Sequence, residues 1–403
     1  MSSGWKFFLI LCCLSLTQGS VNAAEPKRSI RPDATIGTAS AVISTAEQLI
    51  QTAQLFPVDQ QQQLIGAGDA SKQIEQTLDN LQRVLMTGGS ELNAVVKLNC
   101  YVANDDLVPV IQKSLVQRFH APALPAVSFV TTRLPISEVL VAVDAIAELK
   151  PVSASGIPPV ASESRYLASS RVAARTLHFI SGQAEKGANL PEATRKTLLS
   201  LEASLKFCGR SKLDVRQIKC FLTPMSKIAD VRSELEAYYG AQSIPPVSFV
   251  EWQSTLPIEI EVLADGMPET GLEPPGKLVY LTPPGMSTSP VFSRICRIHE
   301  SPLIFVSGLY GQAGSNGTQQ VETIFGDLGA ILKESGGDLQ HLVKATYYVS
   351  QDEPSQKLNE LRPRYYNPKS PPAASKAQVT GVGRPGTGLT IDMIAIPAGI
   401  APK

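Results

Sequence analysis

The sequence predicts an α+β protein that contains three tandem copies of one unit. Three stretches share the order helix, Gly-rich turn, strand, helix, Pro-x-x-Ser segment and alternating final strand. The turn glycines Gly89, Gly209 and Gly336 each precede the serine of a Pro-x-x-Ser motif by 39 residues. These motifs are Pro-Ala-Val-Ser at 125–128, Pro-Pro-Val-Ser at 245–248 and Pro-Ala-Ala-Ser at 372–375. Three equal spacings without a gap indicate a repeated unit.

Each copy begins with an amphipathic helix and continues into two kinds of strand. Apolar residues recur at helical spacing, which predicts one buried face per helix: Ile74, Leu78, Leu81, Val84 and Leu85; Leu198, Leu201 and Leu205; Val321, Phe325, Leu328, Ile331 and Leu332. The strands that follow the turns are predicted at 95–102, 215–222 and 342–349. Strands with period-two alternation, which close the copies, are predicted at 139–147, 258–264 and 389–395.

Linkers rich in Pro, Ser and Gly separate the copies. They lie at 151–162 and 265–276, and their composition is typical of loops. The predicted units are therefore residues 39–150, 164–266 and 277–398. A chain of 403 residues has room for two to four domains of roughly 100–200 residues.

The charge balance excludes some classes of partner. Lys and Arg total 36 and Asp and Glu total 36, so the chain has no net field to attract nucleic acid or an acidic membrane. Only 18% of residues are charged, which argues against a disordered chain. No histidine pair has metal-ligand spacing, so no metal is predicted.

Residues 1–23 are predicted to be a secretory signal peptide. Lys6 supplies the positive charge, 7–16 is the apolar stretch, and Val-Asn-Ala at 21–23 suits cleavage. The apolar stretch is shorter than the roughly 20 residues that span a bilayer. We therefore expect an exported protein without membrane association after cleavage; an uncleaved anchor is the alternative.

Four cysteines remain after signal removal: Cys100, Cys208, Cys220 and Cys296. Their spacing matches no zinc site, and four cysteines are too few for a disulfide scaffold in a chain of this length. Buried thiols are expected. Because Cys100 and Cys220 hold equivalent positions, a disulfide between them is the alternative.

The repeated motifs resemble the RidA group, also called YjgF or L-PSP. A strand that ends Ser-Gly-Gln appears as FISGQ at 179–183, as FVSGL at 305–309 and, altered, as IQTAQ at 50–54. The resemblance implies a chorismate-mutase-like unit, with a sheet backed by two helices, and homotrimers that enclose a central β-barrel with ligand clefts between subunits. Three fused copies then imply a self-contained, monomeric pseudo-trimer. Pairing of the copies with other chains is the alternative.

The activity implied by the resemblance is hydrolysis of reactive enamines and imines without metal or organic cofactor. In the family an arginine precedes the motif serine and binds the substrate carboxylate, a role for which its planar fork is suited. Here Val127, Val247 and Ala374 occupy that position. We therefore expect deaminase activity to be altered or lost.

Other side chains are candidates for the roles of the missing arginine and its neighbours. Lys376 shares a strand face with Ala374 and is predicted as a substitute anion anchor, with Arg384 second; a solvated surface lysine is the alternative. The other predicted substrate-binding residues, taken from the resemblance, are Asn359, Ser307, Gly308, Ser181 and Gly182. The acids predicted to place water are Asp392, Glu261 and Asp144. The third copy retains most of these residues and is the favoured site.

Two functions remain open at this point. One is an exported hydrolase acting on a small imine, enamine or related carbonyl compound. The other is a non-catalytic ligand-binding or structural pseudo-trimer, whose clefts are rebuilt around Val127, Phe129, Val247 and Phe249. Endoribonuclease activity is less favoured, because the sequence has no basic stripe with interleaved aromatic residues. The Gly-rich run 381–388 is predicted to be a hairpin turn and not a phosphate-binding loop.

Overall fold

The computed structural model describes residues 27–149, 166–240, 243–266, 278–299 and 302–399, together with Met1. Apart from Met1, the predicted signal peptide lies outside the described residues. The linker 151–162 and most of the linker 265–276 also lie outside them.

Three stretches of the chain share the order strand, strand, helix, strand, helix, strand, strand, and the first and third begin with one additional strand. The first contains β1 (Arg28–Asp33), β2 (Thr38–Ser44), β3 (Gln48–Thr52), α1 (Ala70–Gly88), β4 (Val95–Val102), α2 (Val108–Arg118), β5 (Ala126–Thr131) and β6 (Val141–Glu148). The second contains β7 (Ser169–Ala173), β8 (Thr176–Gln183), α3 (Leu190–Phe207), β9 (Val215–Leu222), α4 (Ile228–Tyr239), β10 (Val247–Glu251) and β11 (Ile258–Asp265). The third contains β12 (Leu278–Leu281), β13 (Ile295–His299), β14 (Leu303–Tyr310), α5 (Gly317–Glu334), β15 (Gly337–Val349), α6 (Asp352–Leu361), β16 (Ala373–Gln378) and β17 (Leu389–Pro397).

Each unit builds a run of four strands with one topology. In the first unit β4 pairs in parallel with β5 and antiparallel with β6, and β6 pairs with β3. The runs β5-β4-β6-β3, β10-β9-β11-β8 and β16-β15-β17-β14 are therefore equivalent. The two helices of each unit pack against each other. The mixed α+β fold predicted from the sequence is confirmed.

The units are joined to one another by strand pairing. The strand that precedes each run pairs with the last strand of another unit's run: β2 with β14, β7 with β3 and β13 with β8. Each unit thus gives one strand to a neighbour and receives one from the other neighbour.

The turn after the first long helix of each unit requires glycine. Gly89, Gly209 and Gly336 have φ angles of +93°, +66° and +78°. Side chains with a Cβ disfavour this left-handed region, whereas glycine adopts it readily and ends helices there. The 39-residue spacing therefore marks a backbone requirement that occurs three times.

The apolar stripes predicted for these helices are buried in α1, α3 and α5. Ser204 interrupts the stripe of α3 and is also buried. Its Oγ accepts a hydrogen bond of 2.6 Å from Gln183 Nε2. A polar side chain is tolerated in this core because it has a partner.

All four cysteines of the described residues are free and buried, as expected. Burial raises the pKa of each thiol. Cys100 and Cys220 lie in the hydrophobic cores of their own units. The alternative of a Cys100–Cys220 disulfide is wrong, because strand alternation turns these side chains away from the junction of the units.

The opposite face of the same strands brings equivalent side chains of the three units together. Tyr101, Phe221 and Tyr348 share one apolar cluster, and the ring centroids of Phe221 and Tyr348 are 6.4 Å apart. Two residues earlier on each strand lie Asn99, Lys219 and Thr346, which line a polar chamber. An aromatic layer therefore lies beside a polar interior.

Candidate functional site

The boundary between the first and third units contains an open cleft of about 540 Å³. Val127 and Phe129 of β5 form part of its wall, at and beside the position where the resemblance expects an arginine. The third unit contributes Ser307, Gly308 and Arg384, among others. The remaining lining residues are Arg31, Asp33, Ile36, Thr38, Ala39, Ser40, Asp105, Asp106, Val108, Pro109, Gln112, Leu309, Tyr310, Gly383 and Pro385.

Ser307 and Gly308 fasten the third unit to the first. Ser307 Oγ donates to the carbonyl of Ala39 at 2.6 Å and accepts from the Val127 amide at 2.7 Å. A Cβ on Gly308 would lie 3.4 Å from the Ser128 Cα and 3.2 Å from the Tyr310 hydroxyl oxygen. The Ser-Gly pair therefore serves close approach of two units, with the serine oxygen already engaged on both sides.

Arg384 is an exposed cation at this cleft. It lies in the 381–388 segment, which contains a turn but is not the predicted hairpin, because β16 and β17 pair with opposite sides of β15 and not with each other. Its guanidinium carbon is 5.8 Å from the Tyr310 ring centroid. The same turn is held to the first unit by Gly383, whose amide donates to Asp105 Oδ1 at 3.0 Å. Arg31 is also at the cleft, but its Nε donates to Glu334 at 2.9 Å, so part of its charge is already paired.

Lys376 and Asn359 belong to a different boundary from Ser307 and Gly308. Lys376 lies on β16, three strands from β14 in the sheet, which corresponds to roughly 14 Å. Its Nζ donates to Ser355 Oγ at 3.1 Å. Burial lowers the pKa of Lys376, and repulsion from Arg362 lowers it further. The Asn359 side chain is exposed on α6.

The boundary between the third and second units repeats the serine arrangement. Ser181 Oγ accepts from the Ala374 amide at 2.7 Å and donates to the Ser293 carbonyl at 2.6 Å. The Gly182 amide donates to Ser375 Oγ at 3.2 Å. Each set of predicted residues is therefore completed by a neighbouring unit and not by its own.

Glu259 occupies this second boundary, and the sequence analysis missed it. A Cβ on Gly182 would lie only 2.0 Å from Glu259 Oε1, so the carboxyl fills the space that glycine leaves. Burial raises the pKa of Glu259 to about 7, against a hydrogen bond from Ser375 that lowers it. The strand period was the available signal, because Glu259 lies two residues before Glu261 on one alternating strand and therefore on the same face.

The boundary between the second and first units is closed by a glutamine. Gln54 Nε2 donates to the Phe249 carbonyl and Gln54 Oε1 accepts from the Phe249 amide, both at 3.2 Å. The backbone N–H of Gln54 also donates to the Val247 carbonyl at 3.1 Å. The three boundaries therefore differ. The boundary between the first and third units is an open cleft, the one between the third and second is filled by the Glu259 carboxyl, and the one between the second and first is closed by the hydrogen bonds of Gln54.

The acids predicted to place water all lie in the interior where the units meet. Asp144 is fully buried and accepts from Asn99 Nδ2 at 2.7 Å, Tyr101 OH at 2.5 Å and Ser248 Oγ at 2.5 Å. The other two carboxylates form ion pairs between units, Glu261 with Lys344 at 2.6 Å and Asp392 with Lys97 at 2.8 Å. None of the three lines the open cleft.

Lys97 makes two hydrogen bonds in addition to its ion pair. Besides Asp392, its Nζ donates to Ser128 Oγ at 2.8 Å and to the Val306 carbonyl at 2.6 Å. Burial lowers the pKa of Lys97, and the Asp392 carboxylate opposes that shift. This ammonium therefore ties the motif serine of the first unit to two strands of the third.

The described ranges contain neither a cluster of potential metal ligands nor a membrane-spanning helix. No group of three or more His, Cys, Asp or Glu side chains is arranged to hold a metal ion there. None of the helices in these ranges is both long enough and apolar enough to cross a membrane.

Comparison with known proteins identifies relatives of the units. Residues 31–149 and 288–397, together more than half of the chain, match the family model described as endoribonuclease L-PSP. These segments correspond to the first and third units. None of the curated proteins compared matches the chain significantly.

Solved structures of single-unit proteins are also similar. A Rid-family protein of unknown function from Yersinia pestis is 26% identical, covering 30% of this chain and 98% of its own, with a TM-score of 0.29. A putative endoribonuclease from Thermotoga maritima is 24% identical over 30% of this chain and 98% of its own (TM-score 0.24). A YjgF-family protein from Neisseria meningitidis is 21% identical over 30% and 94%, respectively (TM-score 0.23).

Proposed function

Because the chain belongs to the endoribonuclease L-PSP family, which includes the RidA-like proteins, we propose that it binds a small carbonyl- or imine-type molecule and that deaminase activity is altered or lost. One observation carries this proposal. The open cleft of about 540 Å³ has Val127 where the family resemblance expects a cation, with Phe129 beside it. An apolar wall with a few polar groups is typical of ligand-binding clefts.

The proposed ligand has an apolar body and one anionic end. Val127 and Phe129 offer apolar surface, and Arg384 on the opposite unit offers a planar donor set for a carboxylate. Ser307 Oγ already accepts a hydrogen bond from the Val127 amide and donates its only proton to the Ala39 carbonyl, both within 2.7 Å. It therefore holds the backbone of the first unit and has no proton to donate to a ligand. The anion anchor in this proposal is therefore Arg384.

A second candidate function is hydrolysis at the boundary between the third and second units. Glu259 favours it, since a buried carboxyl whose pKa is about 7 can give and take a proton near neutral pH. Lys376 of this boundary remains the predicted anion anchor. The water-placing role of Asp144, Glu261 and Asp392 also remains a prediction; their ion pairs and hydrogen bonds support a role in joining the units.

We also propose that the chain forms a pseudo-trimer around a central barrel and is a monomer in solution. The exchange of β2, β7 and β13 among units supports it, as does the layer of Tyr101, Phe221 and Tyr348. A solution mass near 43.1 kDa, or slightly less after signal cleavage, is expected. A mass three times larger would contradict it.

Export is proposed from the sequence of residues 1–23. N-terminal sequencing of protein recovered outside the cytoplasm should begin at Ala24. Recovery of the intact N-terminus from the cytoplasm would contradict this proposal.

The functional test combines binding with turnover. Binding of 2-oxobutyrate, a stable keto acid, is measured by calorimetry, and hydrolysis of freshly generated 2-iminobutyrate is followed in parallel. We expect binding that Arg384→Ala weakens at least tenfold, since a hydrogen bond to a charged group contributes about 1.5–3 kcal/mol. The exposed Arg364→Ala serves as the control and should bind like the wild type.

Turnover separates the candidate functions. No hydrolysis above background supports a binding protein, whereas hydrolysis abolished by Glu259→Gln supports the second candidate. Hydrolysis that depends on Asp392 and Lys376 would support the site predicted from the sequence. Absence of keto-acid binding would refute the ligand class proposed for the open cleft.

A further inference from the structure

The open cleft contains a carboxyl group beside its proposed anion anchor. Asp105 lines the cleft from the first unit, just before α2, and Arg384 lines it from the third unit. The Gly383 amide donates to Asp105 Oδ1 at 3.0 Å, so the residue that precedes Arg384 in the chain contacts this carboxyl. An acid and a base are therefore close neighbours in one cleft.

The Asp105 carboxyl is held in place by both units. Its Oδ1 also accepts a hydrogen bond from Thr131 Oγ1 of β5. Gly381 of the third unit leaves room for this oxygen, because a Cβ there would lie 2.7 Å from it. The Thr131 amide donates to the Gly381 carbonyl at 3.1 Å, which holds the 381–388 segment against β5. Oδ1 is thus occupied, whereas Oδ2 of Asp105 has no hydrogen-bond partner among the described residues.

Asp105 and Arg384 lie near the same aromatic ring and do not pair with each other. Across the described residues, neither side chain takes part in an ion pair. The guanidinium carbon of Arg384 is 5.8 Å from the Tyr310 ring centroid. Burial raises the pKa of Tyr310, and the charge of the nearby Asp105 raises it further. Both charges are therefore available to one ligand at this place.

The other two boundaries do not repeat this combination. The positions three residues after β4, β9 and β15 are Asp105, Met225 and Asp352. Met225 carries no charge. The loop that meets the unit of Asp352 is 252–257 of the second unit, which bonds to β16 through the Gln253 amide and contains no Lys or Arg. Of the three boundaries in the described residues, the open one alone combines an acid at this position with an arginine in the facing loop.

The cleft is also large for a four-carbon acid. Clefts of roughly 300–1,000 Å³ hold ligands of drug size, and this one has about 540 Å³. Its apolar wall extends beyond Val127 and Phe129 to Ile36, Val108 and Leu309. Apolar surface removed from water contributes to binding in proportion to its area. The wall therefore favours a ligand with a large apolar side chain.

We propose that the open cleft binds a zwitterionic α-amino acid with a large apolar side chain. Its carboxylate lies on Arg384, its ammonium on Asp105 Oδ2, and its side chain against Val127 and Phe129. This inference rests on the function proposed for the cleft and names the class of ligand. Because hydrogen bonds between charged groups are stronger than neutral ones, the ammonium distinguishes the amino acid from the keto acid with the same side chain.

The test compares the binding of three probes to the full chain by calorimetry. L-Phenylalanine has all the proposed features, phenylpyruvate lacks the ammonium, and L-2-aminobutyrate lacks the large side chain. We expect L-phenylalanine to bind roughly tenfold or more tightly than either of the others. Asp105→Asn should abolish the preference for L-phenylalanine over phenylpyruvate and leave phenylpyruvate affinity unchanged. Arg384→Ala should weaken both.

Asp352→Asn is the matched control, because Asp352 is the exposed equivalent of Asp105 at another boundary. It should bind all three probes like the wild type. If Asp105→Asn fails to fold, the wild-type comparison of the probes still decides. Phenylpyruvate that binds the wild type as tightly as L-phenylalanine would overturn the inference and leave the proposed function standing, whereas no binding of any probe would overturn both.

Two further results would also count against the inference. Equal affinity for L-2-aminobutyrate and L-phenylalanine would remove the large side chain from the proposal. A preference for L-phenylalanine that persists in Asp105→Asn, or a loss of phenylpyruvate affinity in that variant, would show that Asp105 positions the 381–388 segment and does not bind the ammonium.

Discussion

The ion pair between Lys97 and Asp392 should be one of the strongest single links between the first and third units. Its side chains are 3% and 12% exposed, and its N···O distance is 2.8 Å. Lys97 also donates to Ser128 Oγ and to the Val306 carbonyl. The substitution Lys97→Met keeps the length of the side chain and removes all three interactions.

The expected cost follows from the burial of the groups left behind. Removing one partner of a buried ion pair costs about 3–5 kcal/mol, because the other charge stays buried without compensation. Lys97→Met should lower the free energy of unfolding by that amount. The double variant Lys97→Met/Asp392→Leu removes the stranded charge as well. It should recover most of the loss and retain a deficit of about 1–3 kcal/mol, since the Val306 carbonyl still lacks its donor.

Urea unfolding followed by circular dichroism measures these differences. The control is Arg195→Met, which breaks the exposed Arg195–Glu234 pair and should leave stability almost unchanged. A loss for Lys97→Met as small as that of the control would refute the reasoning. So would a double variant that is less stable than Lys97→Met alone, because the stranded carboxylate would then not be the source of the cost.

Three further predictions concern the other boundaries. The pKa of Glu259 is raised from 4.5 to about 7 by burial, so the folded state keeps a proton that the unfolded chain has lost. Stability should therefore fall as pH rises from about 4.5 to about 7, and Glu259→Gln should remove that component of the pH dependence; identical profiles for variant and wild type would contradict the assignment. Gln54→Ala should cost about 2 kcal/mol or more in urea unfolding, because it leaves the Phe249 amide and carbonyl buried without partners, and a cost near zero would show that water replaces the glutamine. Gly182→Ala should lower Tm because its Cβ would lie 2.0 Å from Glu259 Oε1, and Glu259→Ala should relieve most of the effect; equal penalties in both backgrounds would locate the clash elsewhere.

The repeated architecture could be predicted from the sequence because its signals are local. The glycines Gly89, Gly209 and Gly336 mark left-handed turns, and the strands at 95–102 and 215–222 lie where the apolar pattern places them. These features depend on backbone conformation and on burial of one face. Both are encoded within a few neighbouring residues.

The composition of each boundary could not be predicted from one copy alone. Ser307 and Gly308 are close in sequence to the rest of the third copy, yet they contact Val127 and Ser128 of the first. Lys376 meets the second unit's side of the molecule because β16 lies at the far edge of its sheet from β14. Strand exchange between units decides these neighbours, and sequence spacing carries no information about it.

The divergence of the polar interior was hidden for a related reason. Lys97 and Lys344 are equivalent, whereas Lys219 is displaced by two residues and Gln217 holds the equivalent position. In the sequence this is only a difference between Asn99 of the first copy and Lys219 of the second, within equivalent alternating strands. Its consequence appears only when the three units meet around one chamber, where Tyr101, Tyr348, Asp144 and Glu261 raise the pKa of Lys219 against the effect of burial.

A crystal structure of the protein with 2-oxobutyrate tests the central claim most directly. We predict the keto acid in the open cleft between the first and third units, with its carboxylate on Arg384 and its carbon chain against Val127 and Phe129. Keto acid bound instead beside Lys376 and Glu259, with the open cleft empty, would contradict the account.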